Sequence, residues 1–204
     1  MSRVHYDHET YFIYSKKIRG ITMHIGEIYK ADSANGPGMR VSVFVSGCTI
    51  HCKGCFNSKT WDFNYGHLWT KEQEDNLIKE LSLSYYRGLT ILGGEPFEPQ
   101  NQPAVSELIL RVKKELPKKD IWVYTGNTYD INLVPGGSRY ISDYTDNILD
   151  NIDVLVDGPF VEELLNLKLK FRGSENQRII DMRETRKQGT IVLHPLNEYT
   201  PLSK

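Results

Sequence analysis

RVSVFVSGCTIHCKGC, residues 40–55, joins two signals whose combination decides the fold. Its first seven residues form a β-branched apolar run that suits a buried strand. The loop opened by Gly47 then holds every cysteine of the 204-residue chain: Cys48, Cys52 and Cys55. Three thiols cannot all pair as disulfides, and three is one short of a closed structural zinc site. A buried strand that delivers its cysteines to the loop at its C-terminal end is the arrangement of a ligand site on an α/β sheet.

Working outward, Asn35-Gly36-Pro37-Gly38 is a turn signal before that strand, and residues 25–29 form a possible earlier strand. Thr70 with Gln73 three residues on predicts a capping box, and Leu77, Ile78 and Leu81 supply the apolar face of the helix it opens. A strand at 89–92 stops at Gly93-Gly94-Glu95-Pro96. Pro103 suits a first helical position, and Val105, Leu108, Ile109, Val112 and Leu116 recur at helical spacing. A strand at 121–124, a helix around 142–149 and a strand at 152–156 complete the alternation. Strands alternating with helices predict a parallel sheet with right-handed crossovers. The glycine-bearing loops at Gly47, Gly93-Gly94, Gly126 and Gly158 then gather at one edge, where such sheets bind ligands. The chain is shorter than the roughly 250 residues of a complete eight-fold barrel, so an α/β, incomplete and laterally open (β/α) barrel is expected.

Lys+Arg is 25 against Asp+Glu 26, which leaves no large field to favour nucleic acid or a membrane surface. No apolar run is long enough to span a bilayer, and the first residues lack an apolar signal core. The expected compartment is the cytosol, where thiols stay reduced and a cysteine cluster reads as metal-binding or catalytic.

Zinc takes four tetrahedral ligands, or three and an open position. His51 is a conceivable fourth ligand but reads better as a solvated loop residue. A 4Fe–4S cube normally takes four cysteines, so three leave one iron open to another molecule. Gly93-Gly94-Glu95 is either a tight turn or a place where two residues without Cβ admit a ligand to the backbone. On the second reading Glu95 offers its carboxylate to an amino group, and a side chain at Gly94 blocks that ligand while leaving the cysteines untouched. Neither glycine motif of nucleotide binding is present.

Together the cysteine spacing and the GGE turn resemble the radical S-adenosylmethionine enzymes. N-G-P-G-x-R at 35–40, C-x-G-C-F-N at 52–57, T-W at 60–61, K-D-I-W-V-Y-T-G at 119–126, V-D-G at 156–158 and F-R-G-S-x-N-Q-R at 171–178 resemble, more closely, the activating-protein family of anaerobic ribonucleoside-triphosphate reductase. The likeness runs from about residue 26 to 178. It divides the chain into an N-terminal extension (1–25, with His5 and His8), a radical S-adenosylmethionine domain (26–180) and a C-terminal tail (181–204) packed on that domain. Two positions depart from common patterns: Gly54 stands where the wider superfamily has an aromatic, and Phe56 where many relatives have tyrosine.

The resemblance implies that Cys48, Cys52 and Cys55 hold one 4Fe–4S cluster whose fourth iron binds S-adenosylmethionine. Gly54, Cys55 and Phe56 would lie against that cofactor, and Gly93, Gly94 and Glu95 would receive its methionyl amine. Thr125-Gly126 and Asp157-Gly158 are expected nearby, while Asn57 and Arg172 carry both a structural reading and a contact reading. The implied activity is reductive cleavage of S-adenosylmethionine and formation of a glycyl radical on the large reductase subunit, with a low-potential, flavodoxin-type electron donor. The other readings are an activase of another glycyl-radical enzyme, such as pyruvate formate-lyase, and a zinc-stabilised binding module.

Overall fold

The computed structural model describes residues 22–198, so His5, His8 and nearly all of the expected N-terminal extension lie outside the described residues. Seven strands form one sheet: β1 (His24–Asp32), β2 (Arg40–Val45), β3 (His67–Leu68), β4 (Gly88–Gly93), β5 (Asp120–Tyr124), β6 (Val154–Asp157) and β7 (Arg178–Asp181). Their spatial order is β3-β1-β2-β4-β5-β6-β7. The central strands β2, β4, β5 and β6 pair in parallel, as expected. β1 and β3 at one side and β7 at the other are antiparallel.

The sheet is therefore mixed and open, with β3 and β7 as its edges, in keeping with an α/β fold left open along one side. The reason lies in the connections. A parallel pairing needs a crossover, usually helical. The segment between β6 and β7 supplies only a short 3-10 turn, Glu162–Leu164, and returns antiparallel.

Strand periodicity separates two faces. Val41, Val43, Val45, Leu89, Ile91, Ile121, Val123 and Leu155 belong to the main core. On this face pack the helices α1 (Lys71–Leu81), α2 (Gln102–Glu115), α4 (Ser142–Asn151) and α5 (Met182–Gln188); α3 (Tyr129–Asn132) is a single turn. Leu77, Ile78 and Leu81 of α1 and Val105, Leu108, Ile109 and Val112 of α2 are buried there, at the spacing read from the sequence. The opposite face carries Arg40, Ser42, Thr90, Trp122 and Tyr124. Trp122, Val154, Val156 and Ile179 form a smaller cluster there with Tyr124, Phe171 and Leu196.

The predicted capping box is formed. Thr70 Oγ1 accepts from the Gln73 amide at 3.3 Å, and Gln73 Oε1 accepts from the Thr70 amide at 3.0 Å. Thr70→Ala is expected to cost about 1 kcal/mol and lower the Tm by about 2–4 °C, read by calorimetry, with iron uptake unchanged. Pro103 stands second in α2 rather than first.

Arg40 explains the N-G-P-G-x-R run. Its guanidinium is fully buried, pairs with Asp120 Oδ1 at 2.6 Å, donates to Thr90 Oγ1 at 2.6 Å and lies 5.5 Å over the Trp122 ring. Thr90 Oγ1 in turn donates to the Asn35 carbonyl at 2.8 Å. The motif thus stitches the N-terminal ends of β2, β4 and β5 together, at the edge opposite the cysteine loop. Beyond α5, His194 N donates to the Ile179 carbonyl at 2.8 Å and Asn197 Oδ1 accepts from the Ile179 amide at 3.0 Å. With the Asp181 amide donating to the Val192 carbonyl at 2.9 Å, these bonds hold residues 192–197 along β7.

Candidate metal and cofactor site

The C-terminal ends of the four parallel strands lie on one side of the sheet, and their loops enclose a cavity of about 220 Å³. Cys48, Cys52, Cys55 and Phe56 line it from the loop after β2, and Gly93, Gly94 and Glu95 from the loop after β4. Tyr124, Thr125 and Gly126 contribute from β5, and Gly158, Phe160 and Arg172 from the segment after β6. The structure thus brings together nearly every residue singled out by sequence. Gly54 and Asp157 are exceptions, for neither lines the cavity.

The cysteine loop is fixed mainly through backbone. Gly47 N donates to the Thr60 carbonyl at 2.8 Å, and Cys48 N to the Trp61 carbonyl at 3.2 Å. Gly94 N donates to the Val45 carbonyl at 2.7 Å, and Glu95 N to the Gly47 carbonyl at 2.9 Å. Side chains that the sequence did not single out complete the anchorage. Asn101, fully buried, donates from Nδ2 to the carbonyls of Ser46 and Glu95 at 2.9 and 3.0 Å. Glu98 Oε1 accepts from both the amide and the hydroxyl of Thr49 at 2.7 Å, while Glu98 Oε2 pairs with Arg139 at 2.7 Å. Apart from the Asn101–Glu95 bond, these contacts reach 41 to 55 residues along the chain, and no local spacing rule marks them.

All three cysteines are free thiols. Burial pushes the Cys48 thiol up to about 11 and raises that of Cys52, which the Phe160 backbone amide opposes. Asn57 N lies 3.4 Å from Cys55 Sγ, the kind of amide contact that supports a metal-bound sulfur. Soft thiolate donors suit an iron–sulfur cluster or zinc. His51 does not line the cavity; it stacks on Trp61, with ring centroids 4.5 Å apart. Among the described residues no three His, Cys, Asp or Glu side chains converge on a single-ion position. Three soft thiols facing one cavity are a donor set that would fit a 4Fe–4S cluster.

Glu95 is 1 % exposed and bridges two loops. Its Oε1 accepts from Phe97 N and Thr125 Oγ1 at 2.8 Å each, and its Oε2 accepts from Gly126 N at 2.8 Å. Burial pushes its pKa up to about 7, and the three donors pull the other way by favouring the anion. A carboxylate offers about four lone-pair sites, so one acceptor position remains for a ligand.

The glycines carry a correction. A Cβ at Gly94 would stand 2.6 Å from the Gly47 carbonyl oxygen and 2.9 Å from that of Thr60. Gly93, at φ +111°, would place one 2.7 Å from the Val45 carbonyl oxygen. The space that a side chain at Gly94 would invade is the seam between the end of β4 and the cysteine loop. Such a side chain cannot leave the cysteines untouched. Gly54 adopts φ +72°, a left-handed conformation that bulky residues avoid, which accounts for the missing aromatic. Its Cβ would also meet Glu162 Oε1 at 2.9 Å.

Asp157 is fully buried, and its oxygens accept from Tyr129 N at 2.8 Å and from Arg178 Nε at 2.9 Å. With both oxygens engaged and no place in the cavity lining, Asp157 serves the framework, while Gly158 beside it reaches the cavity. Phe56 is 79 % exposed and packs on Phe160 at 5.6 Å between centroids. Lys53 ties the cysteine loop to Glu162 and Glu163 at 2.9 and 3.2 Å.

Residues 34–180 match the family model of a 4Fe-4S single cluster domain, a span that includes all three cysteines and the GGE turn. An anaerobic ribonucleoside-triphosphate reductase-activating protein of Vibrio cholerae is 43% identical over 159 residues, 77% of this chain and 97% of the relative. The chain belongs to the family of anaerobic ribonucleoside-triphosphate reductase-activating proteins. The protein of that name from Escherichia coli is 39% identical over 163 residues, 79% of this chain and all of the relative. That from Enterobacteria phage T4 is 40% identical over 158 residues, 77% of this chain and 93% of the relative. Membership in this activating-protein family, with its 4Fe-4S domain, replaces the zinc-stabilised module as a reading of the cysteines. Among the described residues no helix is long and apolar enough to cross a membrane.

Proposed function

We propose that this activating protein cleaves S-adenosylmethionine reductively and generates a glycyl radical on anaerobic ribonucleoside-triphosphate reductase. The observation that carries the reading is the meeting of Cys48, Cys52, Cys55 and the Gly93-Gly94-Glu95 turn on one cavity. When bound, a 4Fe–4S cluster supplies one electron to the sulfonium, so that the sulfur–C5′ bond breaks into methionine and a 5′-deoxyadenosyl radical.

The chain's own residues then hold, orient and shield. The three thiols bind as thiolates and give up their protons as the cluster assembles. With three protein ligands, the cluster would keep one position free to bind the cofactor. The backbone carbonyls of the GGE turn and the remaining acceptor site of Glu95 suit the cofactor's amine. Cys55 and Phe56 lie along the cofactor, with Gly54 behind them setting the loop's conformation. Tyr124, Gly126 and Phe160 wall the cavity and keep water from it. A partner glycine admitted to this cavity would give up a hydrogen atom to the 5′-carbon and keep the unpaired electron on its Cα. The electron comes from a low-potential donor of flavodoxin type, in a cytosol that keeps the thiols reduced. The domain that does this is residues 26–180, with the remaining segments as additions to it.

Incubated without oxygen with the large reductase subunit, S-adenosylmethionine and a reductant, the cluster-loaded protein is expected to yield 5′-deoxyadenosine, methionine and a glycyl radical visible by electron paramagnetic resonance. A silent reductase beside an activated pyruvate formate-lyase would move the assignment to another glycyl-radical enzyme.

A further inference from the structure

We propose that Arg172, clamped by Asn197, is the cation that receives the methionyl carboxylate of S-adenosylmethionine in this cavity. The inference rests on the cofactor reading above.

Arg172 lines the cavity, and its guanidinium is held without any carboxylate. Its Nη1 donates to the Gln177 carbonyl at 2.9 Å and to Asn197 Oδ1 at 2.6 Å, and its Nη2 donates to the Asn197 carbonyl at 2.7 Å. All three acceptors are neutral. No ion pair to Arg172 forms among the described residues; Glu175 instead accepts from Asn166 at 2.8 Å. Of the two donors that remain, Nε–H is buried and has no acceptor.

A buried donor without a partner is costly, and a partly buried cation without a counter-ion more so. Native structures retain such groups where a ligand completes them. Tyr124 Oη, on the same cavity, is also buried without a partner. The cavity therefore offers acceptors at the GGE turn and unspent donors at Tyr124 and Arg172. The amino-acid end of the cofactor asks for that pairing, with acceptors for the hydrogens of its amine and a cation for its carboxylate. Asn197 fixes the planar fork from the tail, so that little side-chain freedom is lost when Nε engages.

The test compares S-adenosylmethionine with its decarboxylated form, which keeps the sulfonium, the amine and the nucleoside. Equilibrium affinities are measured calorimetrically on cluster-loaded wild type, Arg172→Gln and Arg172→Lys. Arg172→Gln is expected to weaken S-adenosylmethionine about 10- to 100-fold, the scale of a charge-assisted hydrogen bond, and the decarboxylated form less than about 2-fold. Arg172→Lys, which keeps the charge but not the fork, should fall between. Because the ratio is read within one preparation, a fraction that fails to fold cancels. Equal weakening of both ligands, or none for S-adenosylmethionine, overturns the assignment of Arg172 alone. A cluster-loaded wild type that binds neither ligand overturns the cofactor reading, and this inference with it.

Discussion

Cys52→Ser, and equally Cys48→Ser or Cys55→Ser, is expected to remove 5′-deoxyadenosine, methionine and the partner's glycyl radical together, by at least about 1,000-fold. Serine is nearly isosteric, so the loop geometry survives. Its hydroxyl is a hard, weakly acidic donor that does not replace a soft thiolate on iron. With three protein ligands there is no spare: losing one leaves two irons of the cube without protein support. Iron content after reconstitution should fall from about four per chain to background. The metal-free stability of the Cys52 and Cys55 variants should barely change, because both thiols are only half-buried and free. A variant that still holds four irons and cleaves the cofactor would show that the cluster sits elsewhere.

The parts of this molecule that the sequence announces are those with a local period or a fixed spacing. The helical faces of α1 and α2, the capping box at Thr70 and the four parallel strands all read correctly, because burial on one face imposes a repeat of 2 or 3.6 residues. β7 was not read, since Arg-Ile-Ile-Asp buries only its two central residues and carries a charge at each end, unlike the apolar run of β6. β3 has two residues, both exposed, and leaves no apolar trace. The openness of the sheet was expected; its mixed character was not, because the antiparallel return to β7 is what ends the parallel series.

At the site, the CxxxCxxC spacing was legible because the ligands sit on one short loop. The supports of that loop were not. Glu98 reaches Thr49, Asn101 reaches Ser46 and Asn197 reaches Arg172 across sequence separations of 49, 55 and 25 residues. Only the folded chain brings such partners together. The tail shows the same limit from the other side: Asn197 looks like an ordinary turn residue until its contacts with Arg172 and Ile179 are seen.

Gly94→Val separates two accounts of the GGE turn that the sequence leaves equivalent. If the glycine serves only to admit a ligand, valine should spare iron uptake and abolish binding of S-adenosylmethionine. The structure points elsewhere, because the added Cβ would lie 2.6 Å from the Gly47 oxygen and 2.9 Å from the Thr60 oxygen, both backbone atoms that cannot rotate away. Those same oxygens accept the bonds that seat the loop, from Glu95 N at 2.9 Å and from Gly47 N at 2.8 Å. Relieving the clash means prying β4 from the cysteine loop, at a cost of about 1–3 kcal/mol or more for overpacking. Iron uptake, cofactor binding and radical formation should therefore fail together in Gly94→Val, and iron uptake should drop even in Gly94→Ala. Gly126→Ala is the control. Its Cβ would meet Ile50 Cδ1 at 2.7 Å, the far end of a flexible side chain that can move aside, so its cluster should assemble normally. A Gly94→Val protein that carries four irons but no longer binds S-adenosylmethionine would return the turn to a purely ligand-facing role.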